Sequence, residues 1–372
     1  MLRILSAASI RVVCACTTAL AASIIAASPG HAADFARVLA GKPLVFPQDY
    51  GAHPEYRTEW WYATGWLQTP DKKPLGFQVT FFRSATGADP GNPSKFAPRQ
   101  LIIAHAALSD PALGHLLHDQ KSAREGFGLA YAKTGDTDVK LDSWSMQRDS
   151  QGNYRASIAG KGFTLNLVLS PSQPLLLQGE QGYSQKGPGP GQASYYYSEP
   201  QLRVSGTVAR AGKEIAVTGN AWLDHEWSTS VLDAESSGWD WLGANLDDGG
   251  ALMAFQIRGK DGRQVWSHAT LRDAAGKVTQ YAAAQVRFTP QRYWTSAATN
   301  TRYPVATAMA LTDGKGEPDM WNLQPLSDDQ ELDSRRSTGA IYWEGAVTVQ
   351  RNGKPAGRGY LELTGYNKAL KL

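Results

Sequence analysis

Residues 60–83 read WWYATGWLQTPDKKPLGFQVTFFR, and residues 239–258 read WDWLGANLDDGGALMAFQIR. In the first stretch Trp60, Tyr62, Thr64 and Trp66 alternate with Trp61, Ala63, Gly65 and Leu67. That period of two sets successive side chains on opposite faces of a β-strand. The turn Asp71-Lys72-Lys73-Pro74 then sends the chain back as a second alternating run. The later stretch repeats the plan: Trp60 aligns with Trp239, Tyr62 with Trp241 and Leu67 with Leu246. After a turn of different length Phe77-Gln78 aligns with Phe255-Gln256, and each hairpin closes on an arginine, Arg83 or Arg258. Two copies of one β-unit, 179 residues apart, predict two barrel-like domains.

The remainder agrees. LGFQVTFFR (75–83), QLIIAHAALSD (100–110), FTLNLVLS (163–170), QLRVSGTVAR (201–210) and GAVTVQRNGK (345–354) alternate in the same way. Gly152-Asn153, Asp247–Gly250, Asp261-Gly262 and Asn352-Gly353 mark turns between such runs. Short strands with frequent turns mean an antiparallel, all-β chain. The N-terminus differs. Arg3 and Arg11 are followed by an apolar run over 12–27, then Pro29, Gly30 and small residues around Ala32. That order reads as a cleaved secretory signal peptide, residues 1–32, and implies a periplasmic or secreted protein. The expected domains are 33–228 and 229–372.

Both cysteines, Cys14 and Cys16, fall inside this leader, so the mature chain has no disulfide and no thiol nucleophile. The whole chain carries 37 basic and 34 acidic side chains; without Arg3 and Arg11 the balance is 35 to 34. Near-neutral charge gives no footprint for nucleic acid or an anionic surface. No apolar run after the leader is long enough to span a membrane. A Gly-x-Ser-x-Gly elbow and a His-Glu-x-x-His zinc motif are both absent. No cofactor-binding motif and no metal-ligand spacing is recognised. The Gly/Pro-rich segment 179–194, GEQGYSQKGPGPGQAS, reads either as a solvated loop or as a cover over a barrel mouth or cleft.

The candidate chemistry lies among tryptophans, in HPEYRTEWW (53–61) and WLDHEW (222–227). On a strand Asp224 and Glu226 share a face and His225 points the other way. A carboxyl packed against indoles loses solvation of its charged form, so its pKa rises and it can act as a general acid. Aromatic faces can stabilise the cation that protonation creates. A buried acid beside Arg57 or His225 can equally serve only to satisfy hydrogen bonds at a domain junction.

The chain resembles the carotenoid 1,2-hydratase/AttH-like family of two-domain, lipocalin-like proteins. The matching stretches are HPEYRTEWWYATGWL (53–67), AHAALSD (104–110), LLLQGEQGYSQKG (175–187), ASYYYSEPQLRVSGTV (193–208), GNAWLDHEWS (219–228), GWDWLGANLDDGGALMAFQIR (238–258) and YWEGAVTVQRNGKPAGRGYLELTGY (342–366). The resemblance implies two calycin-like antiparallel β-barrels packed so that a cavity forms within or between them. It implies a hydrophobic small-molecule ligand, isoprenoid or lipid-like, and cofactor-free hydration or isomerisation begun by acid protonation of an alkene. The family's aspartate would be Asp224, with Glu226 or Glu59 tuning or orienting it and His225 as a hydrogen-bond partner. Trp60, Tyr62, Tyr196, Trp222, Trp239 and Trp241 would line the pocket. The alternatives are a non-catalytic ligand carrier and an envelope accessory protein linked to a membrane transporter.

Overall fold

The computed structural model describes residues 35–370, except positions 90, 190, 233 and 315. The expected signal peptide and both cysteines lie outside the described residues. Among those described, the only helices are two 3-10 turns, Gln48–Tyr50 and Ala283–Gln285. None is long and apolar enough to cross a membrane.

The strands form two antiparallel sheets. The first holds β1 (Thr58–Gln68), β2 (Pro74–Ala85), β3 (Gln100–Ser109), β4 (Leu116–Arg124), β5 (Ala130–Ala132), β6 (Asp138–Leu141), β7 (Trp144–Arg148), β8 (Tyr154–Gly160), β9 (Phe163–Ser170), β10 (Leu176–Leu177), β11 (Tyr183–Gln185), β12 (Ala193–Arg210) and β13 (Lys213–Ser230). They pair in the order β4-β3-β2-β1-β13-β12-β9-β8-β7-β6-β5, with β10 and β11 also bonded to β12. The sheet curls until β3 and β4 meet β5, β6 and β8, which nearly closes a barrel. The second sheet holds β14 (Ser236–Leu246), β15 (Ala251–Gly259), β16 (Gln264–Arg272), β17 (Val278–Tyr281), β18 (Val286–Thr295), β19 (Arg302–Leu311), β20 (Asp319–Pro325), β21 (Glu331–Ser334), β22 (Ala340–Arg351) and β23 (Lys354–Leu363). Its order is β17-β16-β15-β14-β23-β22-β20-β19-β18. Its ends approach where Ser267 and Gln264 of β16 donate to the Val286 carbonyl at 3.2 Å.

Each barrel is filled by the inward alternation of its strands. Trp61, Ala63 and Leu67 pack with Phe77, Val79 and Phe81 in the first; Leu242, Ala244 and Leu246 pack with Leu252 and Ala254 in the second. The outward faces of β1, β14 and β15 are apolar as well, and for one reason: they cover each other. Tyr62, Trp66, Tyr196, Trp222, Trp241, Met253, Phe255 and Tyr360 form a single buried cluster between the barrels. Trp66 Nε1 crosses the junction to donate to the Gly359 carbonyl at 2.9 Å.

The internal echo is structural, with one correction. Trp60 stands opposite Phe82 and Glu59 opposite Arg83; Trp239 stands opposite Ile257 and Gly238 opposite Arg258. Arg83 and Arg258 therefore occupy equivalent rungs. The Phe-Gln pairs do not, because Phe77 faces Gly65 whereas Phe255 faces Trp241, whose counterpart Tyr62 faces Thr80. The cause is the turn. Nine residues separate Trp66 from its partner Gly76, but only five separate Asn245 from Ala251.

Because the junction buries apolar surface from both sheets, the barrels should unfold together. Urea transitions followed by far-ultraviolet circular dichroism and by tryptophan fluorescence should coincide as one step. Trp66→Ala should lower stability by about 3–5 kcal/mol without splitting that step.

A carboxyl-rich cavity between the barrels

Strand register assembles one wall of the site. Across β1 and β13, Tyr62 faces Asp224 and Trp60 faces Glu226. Across β12 and β13, Ser198 faces Asp224 and Tyr196 faces Glu226. The facing wall comes from the second barrel: Trp239 and Trp241 of β14, Phe255 and Ile257 of β15, Tyr342 and Glu344 of β22, and Glu362 of β23. Between them lies a cavity of about 100 Å³.

Asp224 is buried and fully engaged. Ser198 Oγ and Trp222 Nε1 donate to its Oδ1 at 2.5 and 2.7 Å, and the Tyr196 hydroxyl donates to its Oδ2 at 2.6 Å. Trp241 Nε1 in turn donates to the Tyr196 oxygen at 3.0 Å. Burial pushes the Asp224 carboxyl up to about 7; the three donors hold it down and Glu226 adds a smaller upward push. Glu226 pairs with Lys186 at 2.9 Å. The Lys186 ammonium sits 4.6 Å from the ring centre of Tyr196 and 4.2 Å from that of Phe255. Lys186 comes from the Gly/Pro-rich segment, which is not merely a solvated loop. Its β11 bonds to β12, and Gly189 N donates to Gln192 Oε1 at 2.7 Å.

Glu344 and Glu362 face each other across β22 and β23. The Tyr62 hydroxyl donates to Glu344 Oε2 at 2.8 Å, and Trp239 Nε1 donates to Glu362 Oε2 at 2.9 Å. Burial raises both carboxyls, Glu362 to about 7 and Glu344 well above the usual carboxylate range, where the Glu362 charge adds to the effect. Two carboxylates that close in a dry site cannot both ionise, so the pair keeps a proton at neutral pH.

Of the residues expected from sequence, Asp224, Glu226, Trp60, Tyr62, Trp239 and Trp241 meet at this cavity. Trp222 and Tyr196 do not line it; they stand behind Asp224 as hydrogen-bond donors. His225 and Glu59 are corrections. Strand alternation turns them into the first barrel, away from Asp224, so neither tunes nor orients it. There Glu59 Oε1 takes His53 Nδ1 at 2.7 Å and His225 Nε2 at 2.9 Å, while Oε2 takes Arg83 Nε at 2.7 Å and the His53 backbone N–H at 2.9 Å. The ligand atoms of His53, Glu59 and His225 lie within 4.8 Å of one another, close enough for an ion. Both carboxylate oxygens already accept N–H donors, and an ion would sit beside the Arg83 guanidinium. Burial lowers His53, but hydrogen bonds to Asp49 and Glu59 override it and raise the imidazole to about 9. Burial keeps His225 neutral, so the Tyr197 hydroxyl donates to its Nδ1 at 3.1 Å.

Sequence reading missed Lys186, Tyr342, Glu344 and Glu362. Glu344 and Glu362 each sit between apolar neighbours, in YWEG and YLEL. The Asn352-Gly353 turn alone would set Glu344 opposite Leu361. A β-bulge after Val349 shifts the register by one and brings Glu362 to that rung.

The AttH-like family profile matches residues 37–366. The crystal structure of a protein provisionally described as AttH from Nitrosomonas europaea is 61% identical, with a TM-score of 0.84 over 90% of this chain and 100% of that one. Kievitone hydratase from Nectria haematococca shares the fold at 14% identity, with a TM-score of 0.67 over 91% of this chain and 97% of its own. CghA, solved with Sch210972, shares it at 13% identity and a TM-score of 0.55, over 84% of this chain and 89% of its own. No protein with a curated description matches the chain.

The raised His53 value has a definite sign. Its contribution to stability is complete below the ordinary 6.5 and is lost as pH rises through about 9. The stability advantage of wild type over His53→Gln should therefore shrink, by on the order of 3 kcal/mol, between pH 6 and pH 9.5. Urea denaturation at a series of pH values measures it.

Proposed function

The chain belongs to the AttH-like family, and on that premise we propose that it is an exported, cofactor-free hydratase. Its substrate is a hydrophobic, isoprenoid- or lipid-like alkene held between the barrels. The observation that carries this reading is Asp224: a carboxyl on an indole-lined cavity wall, pushed by burial to about 7 and so partly protonated at neutral pH. A cavity of about 100 Å³ suits the reacting end of such a molecule rather than its whole length.

In the proposed step the Asp224 O–H bond breaks and its proton goes to one alkene carbon. The neighbouring carbon becomes cationic, facing Trp60, Trp239 and Trp241, whose rings stabilise positive charge. Water adds to that carbon and gives its extra proton to the Glu344–Glu362 pair on the opposite wall. One molecule of water is added, no electron is transferred, and before the next turnover the pair must lose one proton to solvent and Asp224 must regain one from it. Kievitone hydratase, which shares the fold, is named for a hydration. The leader sequence supports a periplasmic or secreted location.

Native mass spectrometry of the purified protein should reveal a co-purifying hydrophobic molecule. With that molecule in D₂O, wild type should add water and place deuterium on the protonated carbon. Asp224→Asn should lose roughly 10²–10⁴-fold in rate while melting close to wild type. Binding without turnover in wild type, or turnover unchanged in Asp224→Asn, would establish a carrier or a different acid.

A further inference from the structure

The stretch AHAALSD (104–110) has no part in the cavity wall, yet its histidine is wired to it. His105, on β3 of the first barrel, is 1% exposed. Its Nδ1 lies 2.7 Å from the hydroxyl of Tyr342 on β22 of the second barrel, and its Nε2 lies 2.8 Å from Ser337 Oγ. Tyr342 lines the cavity beside Glu344, two residues along the same strand and so on the same face. Ser337 is half-buried in a turn whose neighbours Arg335, Arg336 and Thr338 are exposed. Three hydrogen-bonded groups thus lead from the cavity wall beside the acid pair toward the surface, across the junction of the barrels.

Donor and acceptor accounting gives this chain a direction. The Gln120 amide nitrogen donates to the Asp333 carbonyl at 2.5 Å, which turns Gln120 Oε1 toward Ser337 at 2.8 Å. An amide oxygen only accepts, so Ser337 donates to it. Ser337 Oγ then accepts from His105 Nε2–H. Burial holds His105 far down, at about 3, so the ring is neutral and its Nδ1 accepts from the Tyr342 O–H. The Tyr342 oxygen keeps a lone pair for Glu344. Glu344 Oε2 is taken by Tyr62, whereas Glu344 Oε1 is buried with no hydrogen-bond partner. A proton on that oxygen, with the carboxyl turned toward the Tyr342 hydroxyl, completes the sequence.

We propose that Glu344, Tyr342, His105 and Ser337 form a proton relay joining the inter-barrel acid pair to bulk water. The relay rests on reading the cavity as an acid–base site, and it supplies what that reading requires: an exit for the proton that water leaves on the pair. In the outward step the Glu344 O–H bond breaks and its proton goes to the Tyr342 oxygen. The Tyr342 proton goes to His105 Nδ1, the His105 Nε2 proton goes to Ser337 Oγ, and the Ser337 hydroxyl swings off Gln120 Oε1 to give its own proton to a surface water. Each intermediate group gains one proton and loses one, so none becomes charged. Glu344 ends as a carboxylate and His105 in its other tautomer. His105, Tyr342 and Ser337 are positioning residues, because only Glu344 faces the reacting atoms.

Infrared spectroscopy on the full chain, without substrate, tests the relay. The carbonyl stretch of protonated carboxyls is followed after a rapid transfer from H₂O to D₂O, and Glu344→Gln identifies the Glu344 band by removing it. Tyr342→Phe and His105→Gln keep shape and packing but cannot pass the proton on. Each should slow the shift of that band roughly a hundredfold, the lower end of what a positioned proton-transfer group contributes. Ser337→Ala, at the half-exposed end, gives the same reading where a buried variant fails to fold. Exchange in the folded variants within about tenfold of wild type overturns the relay, as does the lack of any band removed by Glu344→Gln. The readout needs no substrate, so failure of the relay and failure of Asp224-dependent turnover are scored separately.

Discussion

Four carboxyl groups and one ammonium are held out of water between two aromatic walls, and the arrangement of the barrels follows from keeping them there. Ionised carboxylates in such surroundings cost several kcal/mol each unless paired or protonated. Glu226 is paired with Lys186, while Asp224, Glu344 and Glu362 are pushed upward by burial instead. The outward tryptophans of β1 and β14 remove solvent from both sides at once. Neither barrel alone could do so, since each contributes one open, half-apolar face.

Neighbouring acids on the paired strands β1 and β13 show how far environment decides. Glu59 and Asp224 are both buried. Burial raises Glu59 too, but hydrogen bonds to His225 and His53 and the charges of His53 and Arg83 outweigh it, so this carboxylate lies far below its usual range. Asp224 accepts from two hydroxyls and an indole, none of them charged, and burial wins. The first is a knot tying the chain before β1 to the mouth of the first barrel. The second is a group whose proton is available. Alternation alone separates them, because residues one apart on a strand face opposite sides.

The fold was legible from the period-two pattern and the internal echo, since both report how strands bury two faces. Part of the site was legible for the same reason. Asp224, Glu226, Trp60, Tyr62, Trp239 and Trp241 lie on the faces that alternation assigns them. His225 was misplaced once sequence proximity to Asp224 was allowed to outweigh that alternation, and Glu59 once its neighbouring tryptophans were allowed to do the same. Glu344 and Glu362 were hidden because their pairing depends on a bulge, which adds a residue to one strand without a sequence mark strong enough to fix it. Lys186 was hidden because no periodicity governs the segment that delivers it.

The two walls descend from similar hairpins but are chemically unequal, and the inequality gives the cavity a sense. Asp224 is surrounded by three donors that favour its anion after the proton leaves. Glu344 and Glu362 each receive one donor and face one another, so their proton is retained against a growing negative charge. Separate environments that push paired acids to different protonation states are what assign donor and acceptor roles. With one donor-rich acid opposite a pair that shares a proton, the cavity can release a proton from one wall and collect one on the other. The hydrogen-bonded path through Tyr342 and His105 begins on the collecting wall, where a proton would otherwise accumulate.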